Sequence, residues 1–87
     1  MRIAVWDTYV QRNNGTVMHF DILVPDTLKD EQRVFEFGKS YLKTKSFDTQ
    51  NLTSKECKFC HIAVASKVMI ENIETKGYDI IEMENCE

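Results

Sequence analysis

Asn13-Asn14-Gly15 separates two segments rich in β-branched and aromatic residues, and this arrangement constrains the fold more than any other feature of the chain. Asn-Gly supplies the positive φ that a tight hairpin turn requires at its central positions. Residues 2–10, RIAVWDTYV, read as the first strand. Residues 17–24, VMHFDILV, read as its return, and Pro25 ends it because proline removes a ladder donor. An isolated two-stranded ribbon is marginal in water, so the rest of the chain must supply more sheet or a covering helix.

Taking Asn14-Gly15 as a two-residue turn fixes a register. Val10 then faces His19, Thr8 faces Asp21 and Trp6 faces Leu23. One face carries Trp6, Thr8, Val10, His19 and Asp21. The other carries Ile3, Val5, Asp7, Tyr9, Met18, Phe20, Ile22 and Val24, and its apolar content makes it the expected core face. A three-residue loop would shift the pairing by one and break this match.

Val34, Phe37, Tyr41 and Leu42 recur near helical spacing and predict a helix over residues 30–45. Asp30 and Glu31 at its start and Lys43 and Lys45 at its end suit the helix dipole. Thr53-Ser54-Lys55-Glu56 has the form of a capping box and predicts a short second helix carrying residues 57–61. Ser66 and Gly77 bracket a third helix as N-cap and left-handed C-terminal residue. Residues 78–83 read as a last strand, expected beside the first. The expectation is one α+β domain spanning residues 1–87, in the order β-β-α-α-α-β. Its three-stranded sheet would carry the helices packed on one face.

With 87 residues the chain buries roughly 60–65% of its unfolded surface, enough for one thin core. A formal net charge of −3 does not favour nucleic acid. The chain offers no apolar run near the roughly 18–20 residues of a membrane span. Met1 leads straight into a strand-like run rather than an export signal, so the expected location is the cytoplasm. There the three cysteines would stay reduced.

The chemically suggestive segment is Cys57-Lys58-Phe59-Cys60-His61. On a helix, Cys57, Cys60 and His61 stand at i, i+3 and i+4 and share a face. Thiolate and imidazole suit zinc, and Cys86 or, alternatively, His19 would complete a tetrahedron. The same spacing, extended to Val64, also describes a core stripe of buried thiols. A redox dithiol of Cys57 and Cys60 at a helix start is a further reading. So, formally, is covalent haem attachment at Cys57-x-x-Cys60-His61, which the missing export signal opposes. Apart from this segment, Asp7, Thr8, His19 and Asp21 form a candidate polar site. His19 with Asp21 would serve as a general base, with Thr8 opposite. The expected register buries Asp7 among apolar residues, where it must be hydrogen-bonded or paired. A Gly-rich phosphate loop is absent.

Three segments carry a family likeness: Val5-Trp6-Asp7-Thr8-Tyr9-Val10 with Met18-His19-Phe20-Asp21; Glu56-Cys57-Lys58-Phe59-Cys60-His61; and Gly77-Tyr78-Asp79-Ile80-Ile81-Glu82-Met83 with Cys86. The chain resembles the small bacterial family catalogued as domain of unknown function 2024. That resemblance implies a stand-alone α+β domain and no particular activity. The functional expectation is a non-catalytic binding or interaction domain, its partner a protein or a second copy of itself. A zinc-binding domain is the first alternative. A small thiol-redox or acid–base enzyme is the second.

Overall fold

The computed structural model describes all 87 residues. Strand β1 (Arg2–Gln11) and strand β2 (Val17–Pro25) form the antiparallel hairpin. Helix α1 (Glu31–Leu42) follows, then strand β3 (Cys57–Val64), helix α2 (Lys67–Lys76) and strand β4 (Asp79–Glu84). The order is therefore β-β-α-β-α-β, with a four-stranded antiparallel sheet arranged β3-β1-β2-β4. This corrects the expected three strands and three helices. It also places the last strand beside β2 rather than β1.

The predicted second helix is the source of the difference. Its capping signal is real: the Thr53 backbone N–H and hydroxyl both donate to Glu56 Oε1, at 2.8 and 2.6 Å. Glu56 and Cys57 N–H groups both return to the Thr53 carbonyl, which closes a single turn. From Cys57 onward the chain instead pairs with the free edge of β1. That edge offers a long row of backbone donors and acceptors, and filling it outweighs a short, marginal helix. The two remaining helices start at their expected caps and α2 ends at its expected glycine, while α1 stops at Leu42, short of the expected Lys45. The Asp30 side chain accepts from Gln32 N, Ser66 accepts from Met69 N, and Gly77 takes φ 91°.

The hairpin register also differs from expectation by one residue. Val10 pairs with Met18, Thr8 with Phe20 and Trp6 with Ile22. The turn is a three-residue loop: Arg12 N–H donates to Thr16 O, Gly15 N–H to Arg12 O, and Gly15 takes φ 89°. A type I turn closed by a left-handed glycine is the next commonest hairpin after the two-residue forms. Because side chains alternate, the shift moves every β1 residue to the other face relative to β2.

Both faces of the sheet are consequently used. Trp6, Val10, Met18, Phe20, Ile22 and Val24 meet Val34, Phe35 and Tyr41 of α1 in the larger core. Ile3, Val5 and Leu23 meet Ile73 of α2 on the opposite face. The helices thus lie on opposite faces, not on one. Helix α1 approaches β2 closely at Gly38, where a Cβ would collide with Leu52 and Ile22. The smaller α2 core covers one end of its face and leaves Asp7, Tyr9, His19 and Asp21 beyond it.

Candidate functional site

The one-residue shift gathers what the expected register kept apart. Asp7 pairs with Asp21 and Tyr9 with His19, so all four project from the face that α2 only partly covers. His19 Nε2 lies 3.7 Å from Asp21 Oδ1 and 3.9 Å from Asp7 Oδ1. Tyr9 stacks on the imidazole with centroids 4.1 Å apart and planes 12° from parallel. Thr8, expected in this polar site, points the other way. It is fully buried in the α1-side core, and its hydroxyl donates to the Trp6 carbonyl at 3.3 Å.

Two irregularities frame this cluster. Between β1 and β3 the register changes from Val5–His61 to Trp6–Phe59, leaving Cys60 as an extra residue. Between β2 and β4 it changes from His19–Glu84 to Phe20–Glu82, leaving Met83 extra. A bulge re-aims side chains and is common beside functional sites. Here the β3 bulge turns Cys60 and His61, adjacent in sequence, towards the same face. Cys60 Sγ lies 3.2 Å from His61 Nδ1. The Asp7 carboxyl lies near enough to influence the Cys60 thiol.

The expected zinc set of Cys57, Cys60, His61 and Cys86 is divided by the sheet. Cys57 is buried on the α1 side opposite Thr8, while Cys60 and His61 are exposed on the other. Cys86 is buried where the C-terminal tail folds back on β2, its thiol 3.3 Å from the carbonyls of His19 and Glu84. Three residues of extended chain span about 10 Å, and cysteine Cα atoms more than about 7 Å apart cannot be bridged in place. Cys57 and Cys60 are therefore not a disulfide-forming pair in this fold. The helical spacing that suggested them does not apply to a strand.

Burial pushes the Cys57 thiol up to about 11, against a weaker opposing hydrogen bond with Thr8. Its folded-state value lies above the ordinary 9.0, so its stabilising contribution is complete below that pH and disappears as pH rises through about 11. Alkaline denaturation monitored by circular dichroism should therefore begin at higher pH in Cys57→Ala than in the parent. At neutral pH one thiol, Cys60, should react promptly with a thiol reagent. Cys57 and Cys86 should react only at the rate of unfolding.

The carboxyl pair is electrostatically uneven. Burial, with the Asp7 carboxyl beside it, raises Asp21 to about 6. The hydrogen bond from Asp21 lowers Asp7, with smaller help from Cys60 and His19. Two carboxyls held this close do not ionise alike, and the more buried one keeps its proton to higher pH. Cys60 is raised, chiefly by the Asp7 carboxyl, which disfavours a free nucleophilic thiolate. His19 Nε2 and Asp21 Oδ1 are both buried without a hydrogen-bond partner. Asp7, His19 and Asp21 offer ligand atoms that all lie within 4.8 Å of one another.

A four-stranded antiparallel sheet with one helix on each face, carrying an Asp–His–Asp cluster beside a bulged edge strand, defines a small α+β domain with one concentrated polar site. The chain belongs to the family described as domain of unknown function (DUF2024), whose model matches residues 1–83. It is similar along its whole length to protein NE1680 from Nitrosomonas europaea, a structural-genomics target solved by NMR. The two are 39% identical, each is covered over 100% of its length, and the TM-score is 0.80. No curated protein matches the chain.

Sequence reasoning singled out Asp7, His19 and Asp21 and missed that they converge. It assigned His61 and Cys60 to a different constellation. The signal that would have joined them is the turn. Reading Asn13-Asn14-Gly15 as three loop residues puts Asp7 opposite Asp21 and Tyr9 opposite His19 at once.

Proposed function

We propose that this protein is a metal-binding domain that holds one divalent transition-metal ion on Asp7, His19 and Asp21. The observation that carries the reading is the pair of buried, unpartnered atoms, His19 Nε2 and Asp21 Oδ1, facing each other at 3.7 Å. A buried polar atom without a partner is costly, and a cation between them would satisfy both. It would also neutralise the crowded Asp7 and Asp21 carboxyls. The spacing supports this: ligands about 2.0–2.2 Å from a tetrahedral zinc stand about 3.3–3.6 Å from each other. The observed 3.7 and 3.9 Å require contraction of only a few tenths of an ångström. The three free thiols fit a reducing compartment such as the cytoplasm.

Equilibrium dialysis of untagged, metal-free protein against Zn²⁺ tests the reading. One equivalent should bind, and His19→Ala should abolish it while leaving the circular dichroism spectrum intact. Stoichiometry well below one, or binding indifferent to His19, would remove this assignment.

A second reading, a protein-interaction module, draws on the opposite face. Phe59 and Ile62 of β3 are partly exposed beside Trp6 and Ala4, and Trp6 meets Phe59 edge-on at 5.9 Å. The outer edge of β3 is also unpaired, which suits β-strand addition by a partner or a second copy. Sedimentation at several concentrations reads self-association directly.

A further inference from the structure

Resting on that metal-binding reading, we propose that Cys60 is a fourth protein ligand, making the centre a closed, thiolate-containing site for zinc-class ions and not an open site for magnesium or calcium.

The β3 bulge sets where Cys60 and His61 project. If the β3 register beyond the bulge continued unbroken along the strand, His61 would face Asp7's side and Cys60 would sit opposite Trp6, on the α1 face. If the register before the bulge continued instead, Cys60 would share the face with Asp7 and His61 would turn to the α1 side. Only the irregularity at Cys60 turns both residues to the face that carries the cluster. It does so at the expense of a regular ladder on the strand edge.

The chemistry of the assembled donors is selective. Magnesium and calcium take oxygen ligands, whereas imidazole and thiolate favour zinc and its neighbours. Asp7, His19 and Asp21 alone would leave a fourth position for water, the arrangement of hydrolytic zinc sites. Cys60 Sγ lies outside the 4.8 Å group formed by Asp7, His19 and Asp21, but the residue is exposed, so its side chain can turn towards the ion without displacing a core contact. As the metal–sulfur bond forms, the S–H bond breaks and the proton leaves to solvent. His61, with Nδ1 3.2 Å from Cys60 Sγ, is placed to orient that sulfur. Four protein ligands occupy every tetrahedral position. Such a centre retains or reports an ion and does not activate water.

Cobalt(II) titration of the reduced, metal-free protein reads the sulfur directly. The parent should develop a near-ultraviolet thiolate-to-cobalt charge-transfer band that saturates at one equivalent, and zinc should bleach it. Cys60→Ser should still bind cobalt through the three remaining ligands, with weakened affinity, but without that band. Cobalt binding to the parent with no charge-transfer band would overturn the Cys60 assignment and leave the Asp7–His19–Asp21 reading standing. A band that persists in Cys60→Ser would assign the sulfur to another thiol and overturn it equally. Absence of both cobalt and zinc binding would overturn the metal-binding reading together with this one.

Discussion

Phe20→Ala should destabilise the protein by about 3–5 kcal/mol, the range for removing a large buried ring. Phe20 is fully buried at the centre of the α1-side core, packed against the Tyr41 ring with centroids 4.7 Å apart. Domains are stable by only about 0.05–0.15 kcal/mol per residue, so this one change removes a large part of the total. Urea denaturation should show the midpoint collapse, with much of the chain unfolded near body temperature. Tyr9→Ala provides the control on the same hairpin. Tyr9 is half-exposed and stacks on His19 outside both cores, so its loss should cost far less. Under the register with a two-residue turn, the two residues would lie on one face and the contrast would shrink. Comparable losses from both substitutions would contradict the observed pairing.

Asp21→Asn should act in two directions at once. In metal-free protein it should raise stability at pH 7 by about 1–2 kcal/mol, after allowing for partial solvent screening. Burial and the adjacent Asp7 carboxyl raise the Asp21 pKa from 3.8 to about 6. The folded protein therefore holds the Asp21 proton more tightly than the unfolded chain. Its stabilising contribution is complete below about pH 4 and is lost as pH rises through about 6. Asp7 acts in a separate window: its lowered pKa contributes stability that is lost only as pH falls below its ordinary value of 3.8. The asparagine removes the upper transition, so a plot of stability against pH from 4 to 7 should flatten. The same substitution should weaken zinc binding by at least about a hundredfold, since even changes to residues behind a ligand cost about 10–100-fold. Gain of stability with loss of affinity is the signature of a functional site maintained at the expense of the fold. A destabilised variant, or one that still binds zinc normally, would contradict the role given to Asp21.

Residue patterns declared the hairpin, α1 and α2 with their caps, and the last strand. Each of these is announced by local chemistry. Asn14-Gly15 permits positive φ, Asp30 and Ser66 supply N-cap oxygens, and Gly77 accepts the left-handed turn. The periodicity of Val34, Tyr41 and Ile73 is carried by the helices themselves. The family likeness rested on residues read directly from the chain and was legible for the same reason. Asp7, His19 and Asp21 were likewise recognisable as polar residues in apolar strands.

Tertiary structure decided three matters that local patterns left open. The first is the hairpin register, because apolar residues fall on both faces of β1 and β2 and both faces are buried at one end of the sheet. Alternation could not choose between them, and the three-residue turn did. The second is the identity of residues 57–64. The capping box formed, but the free edge of β1 took the chain as a strand, since backbone pairing along a whole strand outweighs one helical turn. The third is the site itself. Cys57 and Cys60 share a face on a helix and oppose each other on a strand, whereas Asp7 and Asp21 meet only in the pairing that the fold selects. The sequence by itself determined which side chains carry chemistry. Their meeting depended on strand register, a long-range property set by competition between turn geometry, edge pairing and burial on two faces.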